Sequence, residues 1–276
     1  MVKRMMAGRR TRWTGIWFLA ALACALAVTA PGSATAPSPS IDHAAWDRLV
    51  KAYVKPGADG VNRVDYAAFK REEHAALKTY IASLQSVDPN TLDRREQFAF
   101  YANLYNAKTI DIVLDHYPVE SIKKISLGGG LFASISGGPW KAKVVKVNGT
   151  ALSLDDIEHG ILRKRFKDPR VHYALNCASI GCPNLATEAF TGAKLDAQLD
   201  AGARSYVNHP RGMRFEGETL IASSIYDWFK EDFGGTDRGV VKHALKYAGP
   251  DLAGKLKTAT SIGGFDYDWS LNDTKR

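Results

Sequence analysis

The stretch from about Leu92 to His116, closed off by Pro118, constrains this chain most. It reads as one long helix. Phe98, Tyr101, Ala102, Tyr105, Ile110, Ile112 and Val113 put apolar side chains over much of its circumference. A helix apolar on most faces has to be surrounded by other elements, so this one is expected at the centre of the fold. Asn103 and Asn106 lie three apart, hence on one face. Buried amides need partners, either neighbouring main chain or a functional site.

Further helices are expected over about 41–54, 66–84, 156–166, 193–207, 240–247 and 250–257. Hairpins are expected around Asn148-Gly149 and Glu216-Gly217. The aromatic run Ser224 to Phe233 predicts a short helix stopped by Gly234-Gly235, its rings in the core. Val171 to Leu175 reads as a strand leading into Asn176-Cys177-Ala178-Ser179. The glycine-rich stretch Leu127 to Pro139 lacks the Gly-Lys-Ser/Thr ending of a phosphate cradle and suits a flap over a cleft or a plain surface loop. No repeat and no second linker occurs. The expectation is a single α+β domain over 41–276, with helices around a small, mainly antiparallel sheet.

Residues 1–36 read as an export signal, followed by a Pro/Ser linker over 37–40. A basic segment precedes an apolar run from Ile16 to Ala30, and cleavage fits after Ala34 or Ala36. An uncleaved anchor is the alternative, and Ala21-Leu22-Ala23-Cys24 resembles a lipidation box. Membrane contact is expected only through this leader. The net charge of +8 owes five positive residues to the first twelve positions, so the remainder is near neutral and no nucleic-acid partner is expected. The chain is expected in the periplasm or otherwise exported. With Cys24 in the leader, only Cys177 and Cys182 remain, too few for a disulfide scaffold.

A thiol between a strand and small residues that open a turn or helix is a candidate nucleophile, since N–H groups at a helix start favour a thiolate. His159, on the preceding helix, is the candidate base; Glu158 or Asn106 would orient it. Oxyanion donors would be the N–H groups of Cys177 or Ala178. Asn103, Tyr105, Asn176 and Ser179 are candidate binding residues. His172 is a rival base, but on an alternating strand it faces away from Cys177. A Cys177–Cys182 disulfide or an inert buried Cys177 are the structural alternatives. Cys177, Cys182, His172, Asp155 and Asp156 supply ligand types, yet the cysteine spacing is not that of a zinc site, and no metal or other cofactor is expected.

These segments carry a resemblance. Phe98-Ala99-Phe100-Tyr101-Ala102-Asn103-Leu104-Tyr105-Asn106-Ala107, then Leu154 to Arg163, then Asp168 to Ser179 resemble the domain-of-unknown-function 547 family, with support from Ser224 to Phe233 and Tyr267-Asp268-Trp269. The likeness covers roughly 95–235. It implies a domain found in bacterial exported proteins and in plant proteins beside coiled coils. It also implies that Asn106, Glu158, His159 and Cys177 carry the family's motif positions. The plant branch keeps the equivalents of His159 and Cys177 but not of His172 or Cys182. That implies His159 as the base and argues against an obligatory disulfide.

The expected function is an exported thiol-dependent hydrolase or acyl transferase acting on an amide or thioester, with a papain-like or transglutaminase-like arrangement and a peptide or small-molecule substrate. Histidine precedes cysteine here, so a papain-like site would need a permuted order. The alternative is a non-enzymatic envelope domain that binds a ligand or partner, its Asn, Glu and His forming a structural network.

Overall fold

The computed structural model describes residues 40–127 and 138–275. The expected leader, all of the linker but Ser40, and most of the glycine-rich stretch lie outside the described residues. Among the described residues, no helix is long and apolar enough to cross a membrane.

The long helix runs from Arg94 to His116 and is buried on nearly every face, from Phe98 through Ile110 to Leu114. Asp93 starts it by accepting the N–H groups of Arg95 and Glu96. The Tyr66–Gln85 helix packs along it, and Ala44–Tyr53 packs on Tyr66–Gln85. Phe98, Phe100 and Leu104 are wholly enclosed, and each such burial contributes about 1.5–3 kcal/mol. A second core forms after Tyr173 around Tyr206, Met213, Tyr226, Phe233 and Val240.

The fold is α+β, as expected. Among the described residues, however, its strands fall into three small sheets rather than one. Val54–Pro56 pairs with Asn62–Val64, and Val145–Val147 pairs with Thr150–Leu152. Met213–Glu216 pairs antiparallel with Thr219–Ser223, to which Gly264–Asp266 adds in parallel. The Asn148-Gly149 turn has both φ values positive (46° and 78°), the geometry expected of that pair.

Two elements differ from expectation. Val171–Ala174 is one turn of α-helix, not a strand. Asp168-Pro169 starts it: Asp168 Oδ1 accepts the Arg170 N–H at 2.9 Å, and proline tolerates a first helical position. The Asp156–Phe166 helix is present but widened, with i→i+5 hydrogen bonds. Such turns are rare and cluster at functional sites.

Two buried histidines make the fold acid-sensitive. His43 Nδ1 lies 2.7 Å from Tyr80 Oη, and His243 Nε2 lies 3.0 Å from Tyr173 Oη. Burial lowers each from 6.5 to about 4. The unfolded chain therefore binds more protons between those values. Their contribution is complete above pH 6.5 and is lost as pH falls toward 4. We expect urea unfolding at pH 5 to give a stability about 3–4 kcal/mol below that at pH 7. Equal stabilities at the two pH values would contradict this.

Candidate functional site

The site is built on the short loop from Asn176 to Pro183. Asn176 closes it by donating its side-chain N–H to Pro183 O at 2.7 Å. Its Oδ1 accepts the Ala178 N–H at 2.9 Å, which holds Ala178 in the left-handed region at φ 59°. That conformation costs a non-glycine residue about 1–2 kcal/mol. The C-terminal tail runs alongside: Ile180 N–H donates to Ser270 O, and Gly181 N–H to Asp268 O at 2.8 Å. A Cβ on Gly181 would stand 2.9 Å from Asp268 N and Tyr267 Cγ. Gly181→Ala is therefore expected to push the tail off the loop. The cost is about 2 kcal/mol, or roughly 4–8 °C in a thermal melt.

Inside this loop Cys177 and Cys182 are joined as a disulfide. Cys177 is half-buried and Cys182 buried. Tyr267 Oη lies 3.1 Å from both sulfurs and 2.9 Å from Ser179 Oγ, which is 3.3 Å from Cys177 Sγ. Burial pushes the Tyr267 phenol well above its usual range, so it remains a proton donor.

Cys177 and Cys182 share a cavity of about 170 Å³ with Tyr105, Asp155, Glu158, His159 and His172. Its remaining wall includes Trp140, Trp228, Phe229, Tyr267 and Trp269. Glu158 links three of these side chains. Glu158 Oε2 accepts the Tyr105 hydroxyl at 3.1 Å, and Oε1 is 3.9 Å from Nδ1 of both His159 and His172. His159 is the more exposed imidazole. Its Nδ1 is 3.2 Å from Arg163 Nη1, and its Nε2 is 3.8 Å from Asp155 Oδ1. His172 is buried, stacked on Phe229 at 4.2 Å, with Nε2 2.7 Å from Asp232 Oδ2. Although burial acts the other way, hydrogen bonds from His172 and Arg163 hold the Asp232 carboxyl well below its usual range.

Cys177, His159, Glu158 and Tyr105 thus meet in one cavity. Asn106 does not join them. Its Oδ1 accepts the Asn176 N–H at 2.9 Å, and its amide donates to Ala174 O at 2.8 Å, so it grips main chain and has no bond to His159. Asn103 does the same for Phe190, accepting its N–H at 3.0 Å and donating to its carbonyl at 2.8 Å. Neither Asn103 nor Asn176 lines the cavity, and Ser179 touches the sulfur instead of the wall.

The expected oxyanion donors are occupied: Cys177 N–H points to Cys182 Sγ at 2.9 Å and Ala178 N–H to Asn176. No helix starts at Cys177, which removes the helix-end stabilisation expected for its thiolate. The objection to His172 rested on a strand that is a helical turn, and it falls with that strand. Four of the ligand types considered for a metal line this cavity, but they do not form a close ligand cluster among the described residues. Asp156 binds Ser153 and pairs with Lys143, while the cysteines hold each other. Among the described residues, His74, Asp111 and Asp115 do converge, but Lys78 and Lys108 already neutralise Asp111 at 2.9 and 2.6 Å.

Asp232, Tyr267, Trp140 and Trp269 were not assigned roles from sequence, and Trp228, expected in the core, instead stands on the cavity wall with 47% of its surface exposed. The signal available for Asp232, Tyr267, Trp228 and Trp269 was their place in Ser224–Phe233 and Tyr267-Asp268-Trp269, both of which carry the family resemblance.

Residues 89–207 match the family model described as "Protein of unknown function, DUF547". No curated protein and no solved structure matches the chain.

Proposed function

This chain belongs to the DUF547 family, and from that starting point we propose that its cavity performs cysteine-dependent acyl transfer or hydrolysis on an amide or thioester. The observation that carries the reading is the shared cavity: the half-buried Cys177, two imidazoles and Glu158 line one aromatic-walled pocket. The oxidised pair is the latent form. An external dithiol reduces it, becoming a disulfide itself as the Cys177–Cys182 bond breaks and both sulfurs are released as thiols. Ser179 and Tyr267 then stabilise the Cys177 thiolate through their hydroxyls.

No imidazole hydrogen-bonds Cys177 Sγ among the described residues, so the proton carrier is chosen on orientation. We assign His172, fixed by Asp232 as a base must be, ahead of His159, whose Nδ1 is turned to Arg163. Cys177 attacks the carbonyl, the leaving group takes the proton from the imidazolium, and water or an amine releases the acyl group. Tyr267 O–H is the donor available to the oxyanion. The apolar leader supports an exported setting, with envelope peptides as substrates.

Iodoacetamide labelling tests the reading. After reduction at pH 7, Cys177 is expected to react about tenfold or more faster than a free model thiol, and Tyr267→Phe to slow it. A rate at or below that of the model thiol sinks the proposal.

A second reading, a non-enzymatic ligand-binding domain, draws on one observation: Asn103, Asn106 and Asn176 spend their amides on main chain. It expects binding in the same cavity with no dependence on Cys177.

A further inference from the structure

We infer that the cavity beside Cys177 binds a primary alkylammonium group, so that its substrate or acceptor carries an amine such as a lysine-like side chain. The role as acyl acceptor rests on the acyl-transfer reading; the binding itself needs no free thiol.

The first support is charge. Asp155 and Glu158 both line the cavity, yet neither has a lysine or arginine ion-pair partner among the described residues. Their nearest basic neighbours are the imidazoles of His159 and His172 at 3.8–3.9 Å. Three other carboxylates near this site or in the core do have such partners: Asp232 pairs with Arg163, Asp156 with Lys143, and Asp111 with two lysines. A neutral or anionic occupant would take water from the two cavity carboxylates and add no countercharge beyond those imidazoles, which is costly.

The second support is the wall. Trp228 stacks on Trp269 at 5.5 Å, and Trp140 meets Trp269 edge-on at 5.7 Å. Indole faces attract cations within about 6 Å. Rings of this wall already do so within the chain: Lys123 Nζ stands 4.9 Å over Trp269, and Arg163 Cζ 4.8 Å over Phe229. Trp228 keeps 47% of its surface exposed, the one large apolar side chain so placed among the described residues.

The third support is size. About 170 Å³ accepts a short alkyl chain and its ammonium, with no room for a folded segment. As acceptor, the ammonium gives one proton to an imidazole. The amine nitrogen then attacks the Cys177 thioester, the C–N bond forms, and the C–S bond breaks. The second amine proton passes to the departing thiolate.

The test is a tryptophan-fluorescence titration of the oxidised chain with n-butylammonium and with its neutral isostere 1-butanol, at matched ionic strength. A saturable change is expected for butylammonium, with Kd at least about tenfold lower than for butanol. Asp155→Asn, at a partly exposed position, should weaken it about threefold or more, and Glu158→Gln likewise. Equal affinities, or no saturable response to butylammonium up to about 50 mM, would overturn the inference. The disulfide is intact throughout, so this outcome is independent of whether Cys177 alkylates rapidly.

Discussion

Cys177→Ser should abolish turnover of thioester and amide substrates by the reduced protein, while Cys182→Ser keeps turnover and no longer needs a reductant. The asymmetry follows from placement. Cys177 is half-buried at the cavity and touched by two hydroxyls, whereas Cys182 is buried, the less accessible of the two sulfurs. Loss of a nucleophile that acts as a unit with its base costs about 10³-fold or more. In the oxidised wild type the proposed nucleophile is tied up in the disulfide, so activity should rise with dithiol. Stability separates a chemical effect from a structural one. Closing a loop of about six residues is worth only about 2 kcal/mol by chain entropy. Both serine variants should therefore melt alike, a few degrees below the oxidised protein. A Cys177→Ser protein that turns substrate over as well as wild type would leave the binding-domain reading in possession of the cavity.

The division between what the residues announced and what they concealed has a physical pattern. The Arg94–His116 helix was legible because a helix apolar over much of its circumference has few places to go, and the Asn148-Gly149 hairpin because its turn demands positive φ. The Val171–Ala174 turn was misread because valine, histidine and tyrosine suit a strand, while tertiary packing decided otherwise. One helical turn lets consecutive residues serve different partners. His172 reaches Asp232 and Phe229, and Tyr173 reaches His243 and Tyr226. An extended strand would have placed these on opposite faces of a sheet that does not exist here. The site was half legible. Cys177, His159 and Glu158 lie within twenty residues of each other and could be grouped by eye. Tyr267 is ninety residues beyond Cys177, and Asp232 sixty beyond His172. No local spacing links them, because the parallel addition of Gly264–Asp266 to the last sheet is what returns the tail to the cysteine loop.

The amides show the same limit from the other side: their burial was foreseeable, their partners were not. Asn106→Ala should destabilise the domain by about 3 kcal/mol, the largest loss of stability expected from any single change discussed. Asn106 is almost fully buried, and each end of its amide holds one side of Leu175, by Ala174 O at 2.8 Å and Asn176 N–H at 2.9 Å. Alanine removes both bonds and leaves a buried carbonyl and a buried N–H unpaired, at about 1–3 kcal/mol for each orphaned group. Asn106→Asp restores only half: its carboxylate accepts the Asn176 N–H but faces Ala174 O with a like-charged oxygen, so it too should fall well below wild type. A melt should register a drop of about 6–12 °C for alanine in a domain of this size. Because the clamp lies immediately ahead of Cys177, loss of stability should be accompanied by looser seating of the cysteine loop. Reduction of the disulfide by a fixed dithiol concentration should then go further toward completion in the variant. A melting temperature within about 2 °C of wild type would mean that water or a shifted backbone satisfies both groups, and that the amide is free to serve the cavity after all.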